Sequence, residues 1–501
     1  MSLAEWLQDM KTEYEVKQGT VDQEVSEVVY DSRKAAPGGV FICIQGTRMD
    51  SHDFIPDVIA AGVRAVVVER AVTVPEDITV IQVPCSRTAL AYLSAARFGW
   101  PARQMTMIGI TGTKGKTTTA HMIKAMSEAG GRKTGMIGTV GVVIGEQTYK
   151  TVNTTPESYD LHRYFAKMRD AGCECCVMEV SSQALKMHRV DGIDFDYGLF
   201  TNISPDHIGP DEHEDFEEYL ACKKQLFAHC AKALVNIDDQ HIGEVVQGIP
   251  CAWDGFSTMS EARFTARDIH YVSEPDFVGI EFMFSDGAEQ QTRVSLPGKF
   301  NVYNALAALA VCNNMGLPGD RSRHALEHLR VDGRMEIVHT SARCCVIVDY
   351  AHNAVSMESL LETLRNYNSK RLVCVFGCGG NRSKDRRYSM GEIAGRMADF
   401  SIITADNSRF EKVEDIIADI RGSVEAAGGD YIEIADRREA IAYSIRNAQP
   451  GDMIAIIGKG HEDYQEIEGV RYPFLDRAVV QEVIAEMREE NHGTYNSKAD
   501  T

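Results

Sequence analysis

The stretch GITGTKGKTTT, residues 109–119, stands between the apolar run MTM at 105–107 and the helix-like AHMIKAMSEAG. A glycine-rich turn between a strand and a helix aims backbone N–H groups at anionic oxygens. In such a turn Lys116 reaches the terminal phosphates of a nucleotide, and Thr117 offers its hydroxyl to magnesium. The spacing departs from the common G-x-x-x-x-G-K-[ST] loop, because Ile110 occupies the place of the first glycine. A solvated turn ahead of a threonine-started helix is the plain alternative. The strand-turn-helix context favours a phosphate cradle.

Outward from this loop, a chain of 501 residues exceeds one ordinary core, so about three domains are expected. A hydrophobic content of 44% permits fully buried sheets. The net charge of −21 argues against a nucleic-acid partner but not against a phosphorylated small molecule, which responds to local charge. The start, MSLAEWLQDMKTEYEV, has no signal-peptide core, and no apolar run is long enough for membrane insertion. Thirteen cysteines without zinc-type spacing read as reduced, mostly buried thiols of a cytoplasmic protein.

Three α/β segments follow from the pattern. Residues 1–104 alternate strand candidates (GVFICIQG, AVVVER, ITVIQV) with a helix-like HDFIPDVIAAG. Residues 105–332 carry the phosphate loop, the strands CCVMEV, FDYGLFTNI and LVNIDD, a helix over EDFEEYLACKKQLFAHC, a peripheral β section and the helix-like NVYNALAALAVCNNMG. Residues 333–501 repeat strand-plus-loop units, RCCVIVDY, RLVCVFGCGG, FSIITADNS and DMIAIIGKG, with helical intervals between them. That pattern predicts a doubly wound sheet with ligands at its strand ends. The terminal NHGTYNSKADT is polar and expected to be mobile.

Glu179 and His207 each follow an apolar strand, where they suit magnesium; a helix cap for Glu179 and a buried hydrogen bond for His207 are the plain alternatives. Lys223 lies four residues before Phe227 on the apolar side of its helix, which depresses its pKa, or else it snorkels to water. Arg382, Arg386, Arg387 and Arg409 are candidates for carboxylates or phosphates, with a solvated charge cluster the alternative. Asp349 and His352 follow another strand, and Glu462 is an acceptor suited to a substrate ammonium.

Taken together and in order, DSR at 31–33, TGTKGKTT at 111–118, NTTPES at 153–158, EVSSQAL at 179–185, TNISPDH at 201–207, YLACKKQLF at 219–227, FNVYNALAA at 300–308, GRME at 333–336, DYAHN at 349–353, GCGG at 377–380, DNSR at 406–409 and GKGHED at 458–463 resemble the Mur ligases, most of all their tripeptide synthetases that add meso-diaminopimelate. The resemblance implies a three-domain architecture that closes during turnover. Its parts are a UDP-precursor domain, a central P-loop ATPase and a C-terminal amino-acid domain. It implies ATP and Mg2+ as cofactors, with UDP-N-acetylmuramoyl-L-alanyl-D-glutamate and meso-diaminopimelate as substrates.

Carried onto this chain, the resemblance puts Gly112, Thr113, Lys114, Gly115, Lys116, Thr117, Thr118, Asn304, Arg334, Asp349 and His352 at the nucleotide. Thr117, Glu179, His207 and Lys223 would hold magnesium, Lys223 as its carbamate, and Lys116, Glu179, His207 and Lys223 form the catalytic set. Ser32, Arg33, Thr154, Thr155, Ser181 and Arg189 fall to the UDP-linked acceptor. Arg382, Asp406, Asn407, Arg409, Gly458 and Glu462 fall to the incoming amino acid. Four departures bear on the substrates: Ser408 replaces the proline of DNPR, Asn381 the aspartate of GGDR and Gln183 the histidine of EVSSHAL, and 206–213 is two residues longer than DHLDxH. A ligase for L-lysine or another amine is the chemical alternative. A nucleotide-binding regulatory module without amide chemistry is the alternative of another class.

Overall fold

The computed structural model describes residues 1–46, 49–206, 208–209, 212–274, 277–367 and 369–496, as backbone only from 491. The chain forms two compact units, one of residues 1–265 with 285–287 and 303–325, the other of 266–284 with 288–302 and 326 onward.

The first unit opens with a five-stranded sheet in the order Glu15–Gln18, Thr79–Gln82, Ala65–Val68, Gly39–Ile42, Glu27–Val29. All but Glu15–Gln18 run parallel. Val40, Ile42, Val67 and Ile81 pack against helices Leu3–Leu7 and Ser86–Arg97, while Phe41, Val66, Val68 and Val80 pack on helix Ile55–Ala60. Burial on both faces is why GVFICI and AVVV are unbroken apolar runs rather than alternating ones.

The second sheet of this unit has at its centre five parallel strands in the order Cys230–Asn236, Phe195–Phe200, Thr106–Thr111, Cys175–Glu179, Thr134–Gly138. Thr106–Thr111 is therefore flanked by two strands whose carboxyl ends open beside its own, the edge where parallel sheets bind ligands. The helix expected over 214–230 is α-helical across Phe216–Lys224 and 3-10 across Gln225–His229, and the Asp215 carboxylate caps it through the Glu218 N–H.

The other unit is built on a six-stranded sheet in the order Glu336–Thr340, Cys344–Asp349, Asp452–Ile457, Arg371–Phe376, Phe400–Ile403, Tyr431–Glu433, parallel except for its first hairpin. Ile347, Leu372, Cys374 and Ile457 face one helical layer, and Val346, Val373, Val375 and Ile456 face the other. This is the doubly wound arrangement that the sequence pattern predicts. Residues 491–496 of the polar C-terminal stretch continue helix Asp476–Asn496, and 497–501 lie outside the described residues. None of the thirteen cysteines is in a disulfide.

Candidate active site

The turn at 112–115 demands glycine twice. Gly112 has φ +143° and a Cβ there would stand 2.0 Å from Thr201 Oγ1, while Gly115 has φ +88° and its Cβ would stand 2.3 Å from Asn304 Oδ1. Thr201 and Asn202, just past the neighbouring strand, hold the loop: Thr201 Oγ1 donates to the Lys114 carbonyl at 2.7 Å and Asn202 Oδ1 accepts the Lys114 N–H at 2.9 Å. Thr113 Oγ1 lies 3.0 Å from the Tyr219 hydroxyl, and Asn304 Oδ1 accepts from Thr119 at 3.3 Å. Lys116 opens helix Lys116–Ala129, and Thr118 is buried in its first turn.

Two side-chain pairs converge on this loop. Thr117 Oγ1 donates to Glu179 Oε1 at 2.9 Å, and Glu179 also accepts the Thr139 N–H at 2.9 Å and its hydroxyl at 3.3 Å. Gly138 leaves room for that carboxylate, since a Cβ there would stand 2.2 Å from Glu179 Oε1. Lys116 Nζ donates to the carbonyls of Gly112 and Thr113 at 2.8 and 3.0 Å. Lys223 Nζ reaches the same Gly112 carbonyl at 2.9 Å and lies 4.4 Å from the centre of the Tyr219 ring. At 2% exposure, Lys223 does not snorkel. Burial, and next the charge of Lys116, hold its pKa well below the ordinary lysine value. His207 lies outside the described residues.

Thr155 and Ser181 sit beside the Glu179 backbone: Thr155 Oγ1 donates to the Glu179 carbonyl at 2.9 Å and accepts the Ser181 N–H at 3.1 Å. Ser181 also caps helix Ser182–Lys186 through the Ala184 N–H. Arg189 donates to the Thr155 carbonyl at 3.1 Å and pairs with Glu157 at 3.4 Å, and Thr154 meets Thr139 hydroxyl to hydroxyl at 3.3 Å. Ser32 and Arg33 are on the 3-10 turn Ser32–Lys34, where the largely exposed Arg33 forks onto Asp31 at 2.8 and 2.9 Å.

In the other unit the strand ends gather a second polar set. Asn407 Nδ2 donates to Glu462 Oε2 at 2.9 Å, and its Oδ1 accepts the Glu466 N–H at 2.9 Å. Fully buried Lys459, absent from the sequence candidates, donates to Asn407 Oδ1 at 3.1 Å and to Glu462 at 3.2 Å. Arg409 donates to the Gly380 carbonyl at 2.8 Å and lies 3.8 Å from Glu466. Exposed Arg382 lies close by, since a Cβ built on Gly379 would stand 3.7 Å from Arg409 Nη1 and 3.9 Å from Arg382 Cγ. Gly458 is held at φ +113° with Asp406 Oδ2 where its Cβ would go, at 2.6 Å. Beneath these loops the buried Arg437–Asp476 pair, at 2.7 Å, donates from Arg437 to the carbonyls of Ala405 and Ile457. Asp349 accepts the N–H groups of Met335 and Ala351, Arg334 stacks 5.0 Å over Tyr350, and His352 Nδ1 lies 2.9 Å from the Tyr350 carbonyl. Arg387 is not a ligand candidate after all: it is buried, gripping Glu411 and Asp419 at 2.8 and 2.9 Å.

Residues 24–99 match the model for the Mur ligase family catalytic domain, 110–312 the Mur ligase middle domain, and 333–460 the Mur ligase glutamate ligase domain. The chain belongs to the Mur ligase family. Its architecture is that family's three-domain α/β arrangement, with the phosphate loop inside the middle domain. Among relatives, this Mur ligase is 39% identical to the UDP-N-acetylmuramoyl-L-alanyl-D-glutamate--2,6-diaminopimelate ligase of Caldanaerobacter subterraneus, over 97% of this chain and 99% of that one. It is also 39% identical to the ligase of that name in Clostridium perfringens, over 94% and 97%. A solved structure of a ligase of the same name superposes with a TM-score of 0.76 at 28% identity, covering 97% of this chain and 99% of the other. Among the described residues of this Mur ligase, no helix is long and apolar enough to cross a membrane.

Proposed function

We propose that this chain is an ATP-dependent amide ligase that joins meso-diaminopimelate to UDP-N-acetylmuramoyl-L-alanyl-D-glutamate during the synthesis of peptidoglycan precursor. The observation that carries the reading is the likeness, over 97% of the chain, to a relative named as a 2,6-diaminopimelate ligase. The unpaired thiols suit a reducing cytoplasm, where the reading places the enzyme.

A carboxylate oxygen is a poor leaving group, so the acceptor is first activated. Its terminal carboxylate attacks the terminal phosphorus of ATP, giving an acyl phosphate and ADP. The amine nitrogen of diaminopimelate then attacks the acyl carbon. The tetrahedral intermediate collapses by breaking the bond to the phosphate oxygen, which leaves an amide and inorganic phosphate, and the amine proton passes to solvent. The loop amides at 112–118 cradle the nucleotide phosphates, and Lys116 stabilises charge on the transferring phosphoryl group. Asn304, Arg334, Asp349 and His352 take the rest of the nucleotide.

Magnesium suits the atoms gathered at the loop, which are hard oxygens: the Thr117 hydroxyl stands 2.9 Å from Glu179 Oε1, in a carboxylate only 1% exposed. Thr117, Glu179, His207 and a carbamate on Lys223 would hold it. When bound, it offsets negative charge on the phosphates. The site of Lys223 supports carbamylation, because burial shifts its amine toward the neutral, nucleophilic form. Its neutral nitrogen adds to the carbon of CO2 and loses a proton to solvent, so that a side chain that would oppose Lys116 as a cation attracts it as an anion.

Ser32 and Arg33 bind the uridine nucleotide of the acceptor, and Thr154, Thr155, Ser181 and Arg189 its muramoyl-peptide part. Glu462 and Asn407 receive the amino-acid head of diaminopimelate with Asp406 and Gly458, while Arg409 and Arg382 meet its distal carboxylate. The test is an amine panel with ATP and the UDP-linked dipeptide, read by product mass and ADP release. Product with meso-diaminopimelate, and ADP that depends on both acceptor and amine, supports the reading. Product with L-lysine alone replaces the amine, and ADP release without ligation overturns the ligase.

A further inference from the structure

Next to the helix that carries Lys223, three side chains of a different ligand class come together. His213, Glu218 and Cys222 place one imidazole nitrogen, one carboxylate oxygen and one thiol sulfur within 4.8 Å of one another. Glu218 and Cys222 are four residues apart on helix Phe216–Lys224 and so share a face. His213, just before the helix cap, is 1% exposed and turns Nδ1 toward Glu218 Oε2 at 3.6 Å.

The far side of each charged or polar ligand is already fixed. His213 Nε2 lies 2.9 Å from Ser182 Oγ, which sets the ring orientation with Nδ1 toward Glu218 Oε2. Lys186 Nζ lies 2.7 Å from Glu218 Oε1, and Glu218 Oε2 accepts the Glu214 N–H at 2.8 Å, so the carboxylate is held with Oε2 toward the imidazole. Cys222 is 4% exposed, whereas the Glu218 side chain is 31% exposed and gives an entry path. Zinc with bonds of about 2.0 to 2.3 Å sets its ligand atoms roughly 3.3 to 3.8 Å apart. The imidazole and carboxylate already stand 3.6 Å apart, so a rotation of Cys222 would close the set to that spacing.

We propose that His213, Glu218 and Cys222 form a site for a divalent cation of the zinc class, with a solvent molecule as fourth ligand. Imidazole with thiolate selects Zn2+ or Co2+ over magnesium, which prefers an all-oxygen set such as Thr117 with Glu179. Binding forms bonds to nitrogen, oxygen and sulfur and releases the thiol proton to solvent. The ion would tie His213 to the helix that carries Lys223.

The experiment uses the full-length protein, stripped by a chelator and then saturated with Mg2+ to occupy oxygen-only sites. Co2+ is titrated in, followed by Zn2+ as competitor. One equivalent of Co2+ should give thiolate-to-cobalt charge-transfer absorption with the intense visible bands of a four-coordinate ion, both displaced by Zn2+. Cys222→Ser should lose the charge-transfer band while melting at the metal-free wild-type temperature, and His213→Ala and Ser182→Ala should each weaken binding about tenfold or more. Zn2+ should raise the melting temperature of wild type and not of C222S. No charge-transfer band at stoichiometric Co2+, or a band that survives in C222S, overturns the site.

Discussion

Lys116 and Lys223 donate to one oxygen, the Gly112 carbonyl, at 2.8 and 2.9 Å. Two ammonium groups on one acceptor repel, and Lys223 is the buried one, so its charge is the more disfavoured. Lys223→Ala should therefore retain the fold and lose ligation by a factor on the order of a thousand, as expected when a charge aimed at a transition state is removed. Short carboxylic acids should restore part of the rate, and labelled bicarbonate should give a carbamate resonance in wild type only. Full activity in folded K223A would remove Lys223 from the mechanism.

The Thr117 to Glu179 contact of 2.9 Å joins residues 62 apart in sequence. Thr117→Ala should cut kcat/KM for ATP by about a hundredfold and raise the magnesium concentration needed for half-maximal rate. Thr117→Ser keeps the hydroxyl and should recover most of the loss. Equal damage from alanine and serine would assign the residue to helix packing instead.

Arg409 stands at φ +50°, bound to the Gly380 carbonyl and near Glu466, so its guanidinium direction is set by the loop. L-lysine matches diaminopimelate except for the distal carboxylate. A charge-assisted contact to that group contributes about 1.5 to 3 kcal/mol, a preference of roughly ten to a hundredfold. Competition between the two amines should show that preference in wild type and its collapse in Arg409→Ala. Unchanged discrimination in the variant would refute the role.

The phosphate loop and the buried strands were legible because local chemistry demands them. Gly112 and Gly115 occupy positions that admit no Cβ, and strands such as Arg371–Phe376 are apolar on both faces. Helix Ser86–Arg97 is not legible in TALAYLSAA, because it packs on both its sheet and helix Ser158–Asp170 and so shows little polar face. Non-local pairings leave no local trace. Nothing in GKGHED says that Lys459 turns inward to Asn407, 52 residues away, or that Arg387 is consumed by Glu411 and Asp419 rather than left for a ligand.

His162 supplies a pH test independent of the catalytic reading. It lies on helix Ser158–Asp170, fully buried, with its ring edge-on to Phe165 at 5.6 Å and neither ring nitrogen hydrogen-bonded among the described residues. Burial alone lowers its pKa from 6.5 to about 3. Between those values the unfolded chain binds a proton that the folded chain refuses, so stability falls as pH drops through the window and is fully present above pH 6.5. Each pH unit inside the window costs about 1.4 kcal/mol. Carboxylates elsewhere add their own acid losses, so the informative quantity is the difference between wild type and His162→Leu, which is of similar volume and carries no proton. Amide exchange of helix Ser158–Asp170, corrected for intrinsic rates, reads local opening without requiring the whole chain to unfold in one step. From pH 6.5 to 5.5 the opening free energy of wild type should drop by about 1 kcal/mol more than that of the variant. At pH 7.5 the variant should be at least as stable, because no unpaired nitrogen is left in the core. Parallel pH dependence in the two proteins would show that the ring finds a partner or water on acidification, and would remove His162 from the acid response.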